Sequence, residues 1–443
     1  MLSKTYIMCD INSDNHNVET EMIYKKKILP GTLCMKCKVQ KAAAIVRVND
    51  SLCRSCLLTY TTHKFRSTLG KSKLVKANDR VLLVASGSQS STALLHLVKE
   101  ALSEGAHKRL RFSPGVVFID ESVTLQNKTE WELGIQDIKK LVEDLGYPFY
   151  CVPIYQNFHS AGIDADGVNE INKSSFSQAF AQLSTLTAKV HFLSIVRMSV
   201  IVATARKHSY TKVMIGDTAS DLSITLLCNI LQGNGNAIPF EIGVADKRYS
   251  DIVIIRPLRE FSSKEVALYT RLNHLSFTVV PNILTKKATN SCIQRQTEQF
   301  VNSLQAGFPS TVNTIFRTGD KLCLDQEFTF SPCLLCQRPK DRIEELETGE
   351  KIETEVEQDK RNDVIEQRHK VMEEKMESLS GEENLRVDRL ILSDVKSKLC
   401  YGCNITLKEM GEKYELLPYF TLKTIQQMKN RTRMKNEIKD FLL

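Results

Sequence analysis

The placement of the cysteines limits this chain more than any other feature. Eight of the 13 fall into four Cys-x2-Cys pairs: Cys34/Cys37, Cys53/Cys56, Cys333/Cys336 and Cys400/Cys403. Two residues between cysteines let both thiolates of a tight turn face one ion, and two such turns complete a tetrahedral site. The first two pairs read C-x2-C-x15-C-x2-C, a spacing of structural zinc modules. The second two are separated by 63 residues, most of them a charged stretch that reads as an insertion. Removing it would bring the pairs together. Each quartet offers four protein ligands and no open position, so both are structural rather than catalytic sites. Two zinc ions are expected. The other cysteines, Cys9, Cys151, Cys228, Cys292 and Cys323, stand singly, and a buried core thiol is the default for each. Cys228 has no cysteine near it in sequence, and Cys292 lies in a polar stretch that reads as exposed.

Clustered reduced thiols fit a cytoplasmic chain. The segment from Met1 to Asn17 lacks a charged-then-apolar signal pattern. No uninterrupted apolar run approaches the ~18 residues of a membrane span, so no membrane is expected as a partner. Hydrophobic residues make up 42% and charged residues 25%, enough for a sizeable core and incompatible with disorder throughout.

Between the quartets the pattern alternates. A strand at Val81–Ser86 leads into a small-residue loop and a helix from Ser91. Apolar runs follow at Gly115–Ile119, Tyr150–Ile154, Lys212–Ile215 and Ile252–Ile255. Helix-length segments separate them: Ala93–Ser103, Trp131–Leu145, Phe176–Lys189, Leu193–His208 and Leu222–Leu231. Strands alternating with helices predict an α/β fold with a doubly wound parallel sheet, here with small zinc modules at both ends. Ser262 with Glu265 three positions on is a capping box that starts a further helix. The chain divides accordingly. Residues 1–30 read as a disordered tail, 31–79 as a basic four-cysteine module and 80–283 as the α/β core. Residues 284–340 form a helical extension carrying the first half of the second quartet, and 341–388 an acidic disordered insertion. Residues 389–443 carry the other half of that quartet and a basic helix, Thr421–Phe441.

The formal charge of +8 is an average of unlike parts. Residues 341–388 hold 17 acids and 8 bases, whereas 21–80 hold 14 bases and 3 acids. A basic block of that density is a footprint of nucleic-acid binding. The candidate RNA contacts are Lys36, Lys38, Lys64, Arg66, Lys71, Lys73 and Lys76, with Tyr60, His63 and Phe65 available to stack on unpaired bases. The competing reading is solvated lysines beside core aromatics.

The loop Ser86-Gly87-Ser88-Gln89-Ser90-Ser91-Thr92 follows a strand and opens a helix. Backbone N–H groups and the helix dipole make such a turn an anion site, with the Ser86, Ser88, Ser90 and Ser91 hydroxyls as further donors. The same chemistry serves an ordinary helix cap. Asp217 and Asp221, four residues apart, read either as helpers of a nucleotide or as helix-start residues, Asp217 as N-cap and Asp221 in the first turn. Asp120 reads as a strand-end turn residue, and Gly233-Asn234-Gly235 as a loop after a helix.

The loop resembles a degenerate S-G-G-x-D-S signature of the PP-loop ATP pyrophosphatases, whose fold is of the adenine-nucleotide-hydrolase type. The likeness continues through Ile215-Gly216-Asp217-Thr218-Ala219-Ser220-Asp221, Arg256-Pro257-Leu258-Arg259-Glu260-Phe261, Pro309-Ser310-Thr311-Val312 and the second quartet. In this order the motifs resemble the family of second subunits of the cytosolic tRNA thiouridylase. That resemblance implies a heterodimer with a catalytic PP-loop subunit. It implies 2-thiolation of the wobble uridine in lysine, glutamine and glutamate tRNAs, with sulfur from a thiocarboxylated ubiquitin-like carrier. The signature's second glycine is Ser88 here and its aspartate is Ser90. A Cβ at position 88 obstructs backbone approach to pyrophosphate, and a missing carboxylate removes a magnesium helper. These departures weigh against ATP binding and against chemistry by this chain alone. Two alternatives stay open: an adenylating sulfurtransferase in its own right, and a zinc-containing nucleic-acid binder unrelated to sulfur.

Overall fold

The computed structural model describes residues 31–46, 50–105, 109–125, 128–156, 158, 166–308, 310–322, 332–340 and 399–410. The expected tail, the acidic stretch 341–388, the Thr421–Phe441 segment, Cys9 and Cys323 lie outside the described residues.

The N-terminal module pairs β1 (Ala44–Ile45) with β2 (Ser51–Leu52) antiparallel, and a six-stranded sheet is built on β3 (Arg80–Val84). Its other strands are β4 (Ser113–Asp120), β5 (Phe149–Pro153), β6 (Lys212–Met214), β7 (Ala245–Asp246) and β8 (Val253–Ile255). The spatial order is β5-β4-β3-β6-β8-β7. All neighbouring pairs are parallel except β7–β8. The chain moves outward from β3 to β5 and then returns to place β6 on the other side of β3. That reversal is the topological switch point, where doubly wound sheets open a crevice beyond the strand carboxyl ends. The five parallel strands lie where the apolar runs predict them. β7, two residues long, is too short to be signalled.

Side chains alternate across the sheet, so each strand feeds two cores. Val81 and Leu83 of β3 pack with α1 (Arg54–Ser72), α2 (Gln89–Leu102), α3 (Thr129–Leu145) and α8 (Ser263–Leu272). Leu82 packs on the other face with α4 (Asp166–Gln182), α5 (Leu186–Lys207) and α11 (Tyr401–Lys408). α6 (Ala219–Leu231), α7 (Ile238–Ile242), α9 (Ile293–Gly307) and α10 (Thr311–Lys321) form smaller clusters beside the sheet.

The expected helix Phe176–Lys189 is instead broken at Leu183–Thr185, where Thr185 caps a new helix by accepting from the Ala188 N–H at 3.2 Å. That helix, α5, is long and apolar enough to cross a membrane by composition, with half of its most apolar window buried in the protein. The Ser262–Glu265 capping box forms as predicted.

One ion pair ties the N-terminal module to this core. Lys64 Nζ of α1 meets Glu265 Oε1 of α8 at 2.9 Å, and Tyr60 donates to the same oxygen at 3.1 Å. The other oxygen, Oε2, accepts the Ser262 N–H of the cap at 2.8 Å. Both charged side chains are nearly buried, at 11% and 7% exposure. A buried pair gives little net stability when intact but is costly to break, because the survivor is left unpaired. Replacing Glu265 with alanine should therefore destabilise the chain by about 3 kcal/mol. The measurement is a lowered urea midpoint at unchanged slope; a midpoint equal to wild type would refute the tether.

Candidate functional site

The structure gathers each cysteine quartet. Within Cys34, Cys37, Cys53 and Cys56, and within Cys333, Cys336, Cys400 and Cys403, all sulfurs lie within 4.8 Å of one another. Cys37 and Cys53 Sγ are 3.8 Å apart, and Cys336 and Cys400 Sγ 3.6 Å. A tetrahedral ion with 2.3 Å bonds to sulfur requires edges of about 3.8 Å, so both quartets fit one ion each. The two sites are built alike. Cys34 and Cys333 each begin a tight turn, in which their carbonyls accept from Lys38 N–H at 2.8 Å and Gln337 N–H at 3.0 Å. Lys38 and Gln337 both take positive φ, 57° and 59°. Cys53 and Cys400 are the N-caps of α1 and α11, at the helix ends that favour thiolate. The first quartet's thiols cannot all ionise without a cation. Burial pushes Cys34 up, but hydrogen bonds from the Cys37 and Cys53 backbone outweigh it and leave the thiol at about 6. Cys56 is driven the other way, to about 12, first by its bond with Cys53.

The two quartets differ in burial. Cys37 and Cys56 are half-exposed, whereas all four members of the second quartet are buried in the main core. His191 of α5 braces this second site, with Nδ1 2.8 Å from Thr406 Oγ1 of α11. The Gly233–Gly235 loop packs on it too; a Cβ on Gly402 would fall 2.1 Å from Asn234 Oδ1.

A cavity of about 1270 Å³ runs from the carboxyl ends of β3 and β6 along α5 to the second quartet. The Ser86–Ser91 loop forms one end of it. Ser88 is the N-cap of α2, accepting from the Ser91 N–H at 3.3 Å. Ser86 Oγ donates to Ser88 Oγ at 2.9 Å, and Ser88 and Ser90 hydroxyls meet at 3.2 Å. Ser86 N–H donates to Ser91 Oγ at 3.3 Å. The loop's polar groups are thus largely satisfied by each other. Gly87 is required by its fold: φ is +75°, and a Cβ would lie 2.7 Å from Thr278 O.

The charged wall of the cavity is neutralised in pairs. Arg197 bonds Glu121 at 2.5 and 3.1 Å, Arg206 bonds Asp251 at 2.7 and 2.8 Å, and Arg338 bonds Glu241. Burial pushes Glu241 up, but Arg338 and Arg248 outweigh it and hold the carboxyl at about 2. Asp217 lies against Arg256 at 3.3 Å, with burial raising its pKa against the pull of that arginine. The N-cap of α6 is Thr218, not Asp217. Thr218 and Asp221 form a reciprocal capping box, so Asp217 precedes the helix and does not share a face with Asp221. Asp120 makes the expected turn, accepting from the Ser122 N–H at 2.8 Å.

Several expected roles change. Lys64 is committed to Glu265, Phe65 is fully buried, and Tyr60 bonds Glu265, so these side chains serve packing rather than RNA. Arg66 is half-buried, with Nη2 3.5 Å from Glu100 O. Lys36, Lys38, Lys71, Lys73 and Lys76 are exposed. Cys292 is buried, not exposed, and near enough to Cys228 on the cavity wall to raise its pKa further. Cys151 is exposed rather than core. The paired arginines went unseen in the sequence because their partners lie on other elements.

Parallel sheet, switch-point loop and cavity define a PP-loop α/β protein. The structure is similar to the U34-tRNA thiolase NcsA from Methanococcus maripaludis with its 4Fe–4S cluster, at TM-score 0.52 and 18% identity, covering 68% of this chain and 92% of that one. At that identity the likeness shows the fold. Sequence goes further. The profile described as cytoplasmic tRNA 2-thiolation protein 2 matches residues 292–405. Proteins of that name from Xenopus tropicalis and Danio rerio are 33% and 32% identical, over 93% and 98% of this chain and 94% and 99% of theirs. The chain belongs to the cytoplasmic tRNA 2-thiolation protein 2 family.

Elemental analysis should find two thiolate-bound ions per chain. Cys56→Ser at the half-exposed site and Cys403→Ser at the buried one should each lower that count by one. The second change should also cost more thermal stability, because it opens the main core. Equal losses of stability would contradict the difference in burial.

Proposed function

We propose that this chain is the non-catalytic, RNA-holding subunit of a heterodimeric tRNA thiouridylase. Its partner is a catalytic PP-loop subunit, and its site of action is the cytoplasm, as in the names of its relatives. The reaction is 2-thiolation of the wobble uridine in lysine, glutamine and glutamate tRNAs, with sulfur delivered by a thiocarboxylated ubiquitin-like carrier. The observation that carries the accessory role is the cavity. Its loop hydroxyls bond one another, and its arginines are matched by carboxylates. Adenylation needs unengaged donors and excess positive charge for a polyphosphate with magnesium. Ser90 supplies no carboxylate for that ion.

We assign zinc to both quartets. Their sulfur separations suit one ion, whereas a four-iron cube spreads its thiolates over separate metal atoms. Zinc bound there would supply folding energy and no redox chemistry. The exposed Lys36, Lys38, Lys71, Lys73 and Lys76 are the lysines left for tRNA.

One observation favours a second reading, a chain that moves sulfur itself: Cys228 lies on the cavity wall with Cys292 near it. Burial, however, raises the Cys228 thiol, the wrong direction for a nucleophile. Reconstituted thiolation with purified subunits separates the readings. The chain alone should form no thiouridine, and adding the partner should restore it. Cys228→Ser and Asp217→Asn in the heterodimer should keep at least about half the rate, since neither group touches reacting atoms. Product from the chain alone, or a tenfold loss in either variant, would install the catalytic reading.

A further inference from the structure

The parallel sheet brings a second set of basic residues beside the sequence-local ones, at the edge opposite the Ser86–Ser91 loop. β3, β4 and β6 are neighbours and parallel, so the segments entering them share one rim. Arg80 opens β3 in register with Ser113 of β4, and Val81 is in register with Lys212, which opens β6. The turn before β3 is stitched to the segment before β4: Asn78 N–H donates to Arg111 O at 2.8 Å, and Ser113 N–H to Asp79 O at 2.9 Å. The turn that follows Lys73 and Lys76 therefore stands beside Arg109 and Arg111, residues more than thirty positions away in sequence. Lys73, Lys76, Arg80, Arg109 and Arg111 are exposed, and Lys212 is half-exposed.

Few acids offset them. Asp79 accepts the Lys76 N–H at 2.7 Å but keeps its charge, Glu104 in the segment before β4 is exposed, and Asp251 is paired with Arg206. Exposed Glu143 and Asp144, at the end of α3, bound the patch on the β5 side. A half-exposed aromatic stack lies within it: the rings of Tyr150 and His208 are 4.0 Å apart, and Arg80 lies 4.8 Å from the Tyr210 ring. His208 is held below its usual pKa by burial and then by Lys207 and Arg80, a local sign of the positive field.

We infer that this rim, the amino-terminal edge of β3, β4 and β6, binds the phosphate backbone of the tRNA. The inference rests on the reading of the chain as an RNA-holding subunit and specifies the surface. Dense cations suit a nucleic-acid backbone. The Tyr150–His208 pair gives a flat face for one unpaired base. β3, which leads from the rim to the Ser86–Ser91 loop, is 5 residues long, so the two are separated by about 17 Å at about 3.3 Å per residue. Phosphates held at the rim are thereby set apart from the Ser86–Ser91 loop.

The test is tRNA binding by the reconstituted heterodimer across a salt series. Arg109→Glu, Arg111→Glu and Lys212→Glu combined should weaken affinity at least tenfold and reduce the salt slope by about 3. Glutamine at the same three positions should give a smaller loss in the same direction. Thiolation at saturating tRNA should persist with a raised KM. Unchanged affinity and slope, while thiolation by the wild-type pair proceeds, would overturn the rim and leave the accessory reading intact. Loss of the partner subunit instead of tRNA would overturn it too, making the rim a protein interface. No thiolation by the wild-type pair would instead sink the reading beneath it.

Discussion

The strands of the central sheet run one way, apart from the short β7, and this polarity decides where everything else can sit. Parallel strands put all helix-entering loops at one edge and all strand-entering segments at the other. The first edge carries the serine loop, Asp217 and one end of the cavity. The second carries Arg80, Arg111 and Lys212. The cores on both faces hold the two edges apart, since Val81, Leu82 and Leu83 are all fully buried. The RNA-holding role proposed for this chain would use the second edge and leave the crevice at the first.

The charges of the crevice are matched in pairs. A polyphosphate site needs surplus positive charge and unengaged donors. Here Arg197, Arg206 and Arg338 each face a carboxylate, and Ser88 spends its hydroxyl on capping α2. What the wall does offer is structural: Arg338 and Glu241 link α7 to the segment that carries the second quartet. That quartet closes the core under α5 and joins segments separated in sequence by the acidic stretch. The first quartet has a different task. It folds a small surface module that the Lys64–Glu265 pair fastens to α8.

The parallel strands, the capping box at Ser262 and the quartets were legible because their signals are local. Apolar runs, a Ser-x-x-Glu pattern and Cys-x2-Cys spacing each depend on residues close in the chain. The misreadings arose where a residue's partner is distant. Asp217 looked like a cap until Arg256 claimed it and Thr218 took the cap. Lys64 looked like an RNA contact because Glu265 is 201 residues away. Cys228 looked solitary because Cys292 comes from the start of α9.

By itself, then, the sequence determined the alternation of strands and helices, the ligand sets for two ions and the loss of the loop's glycine and carboxylate. Local physics suffices for these: periodicity, turn geometry and side-chain chemistry. Only the tertiary structure decided which charges are paired and which are free, that the second quartet is a core element and the first a surface one, and that Arg109, Arg111 and Lys212 join the basic turn before β3. Charge pairing and burial depend on distance in space, and sequence separation carries no information about that distance until the sheet order is known.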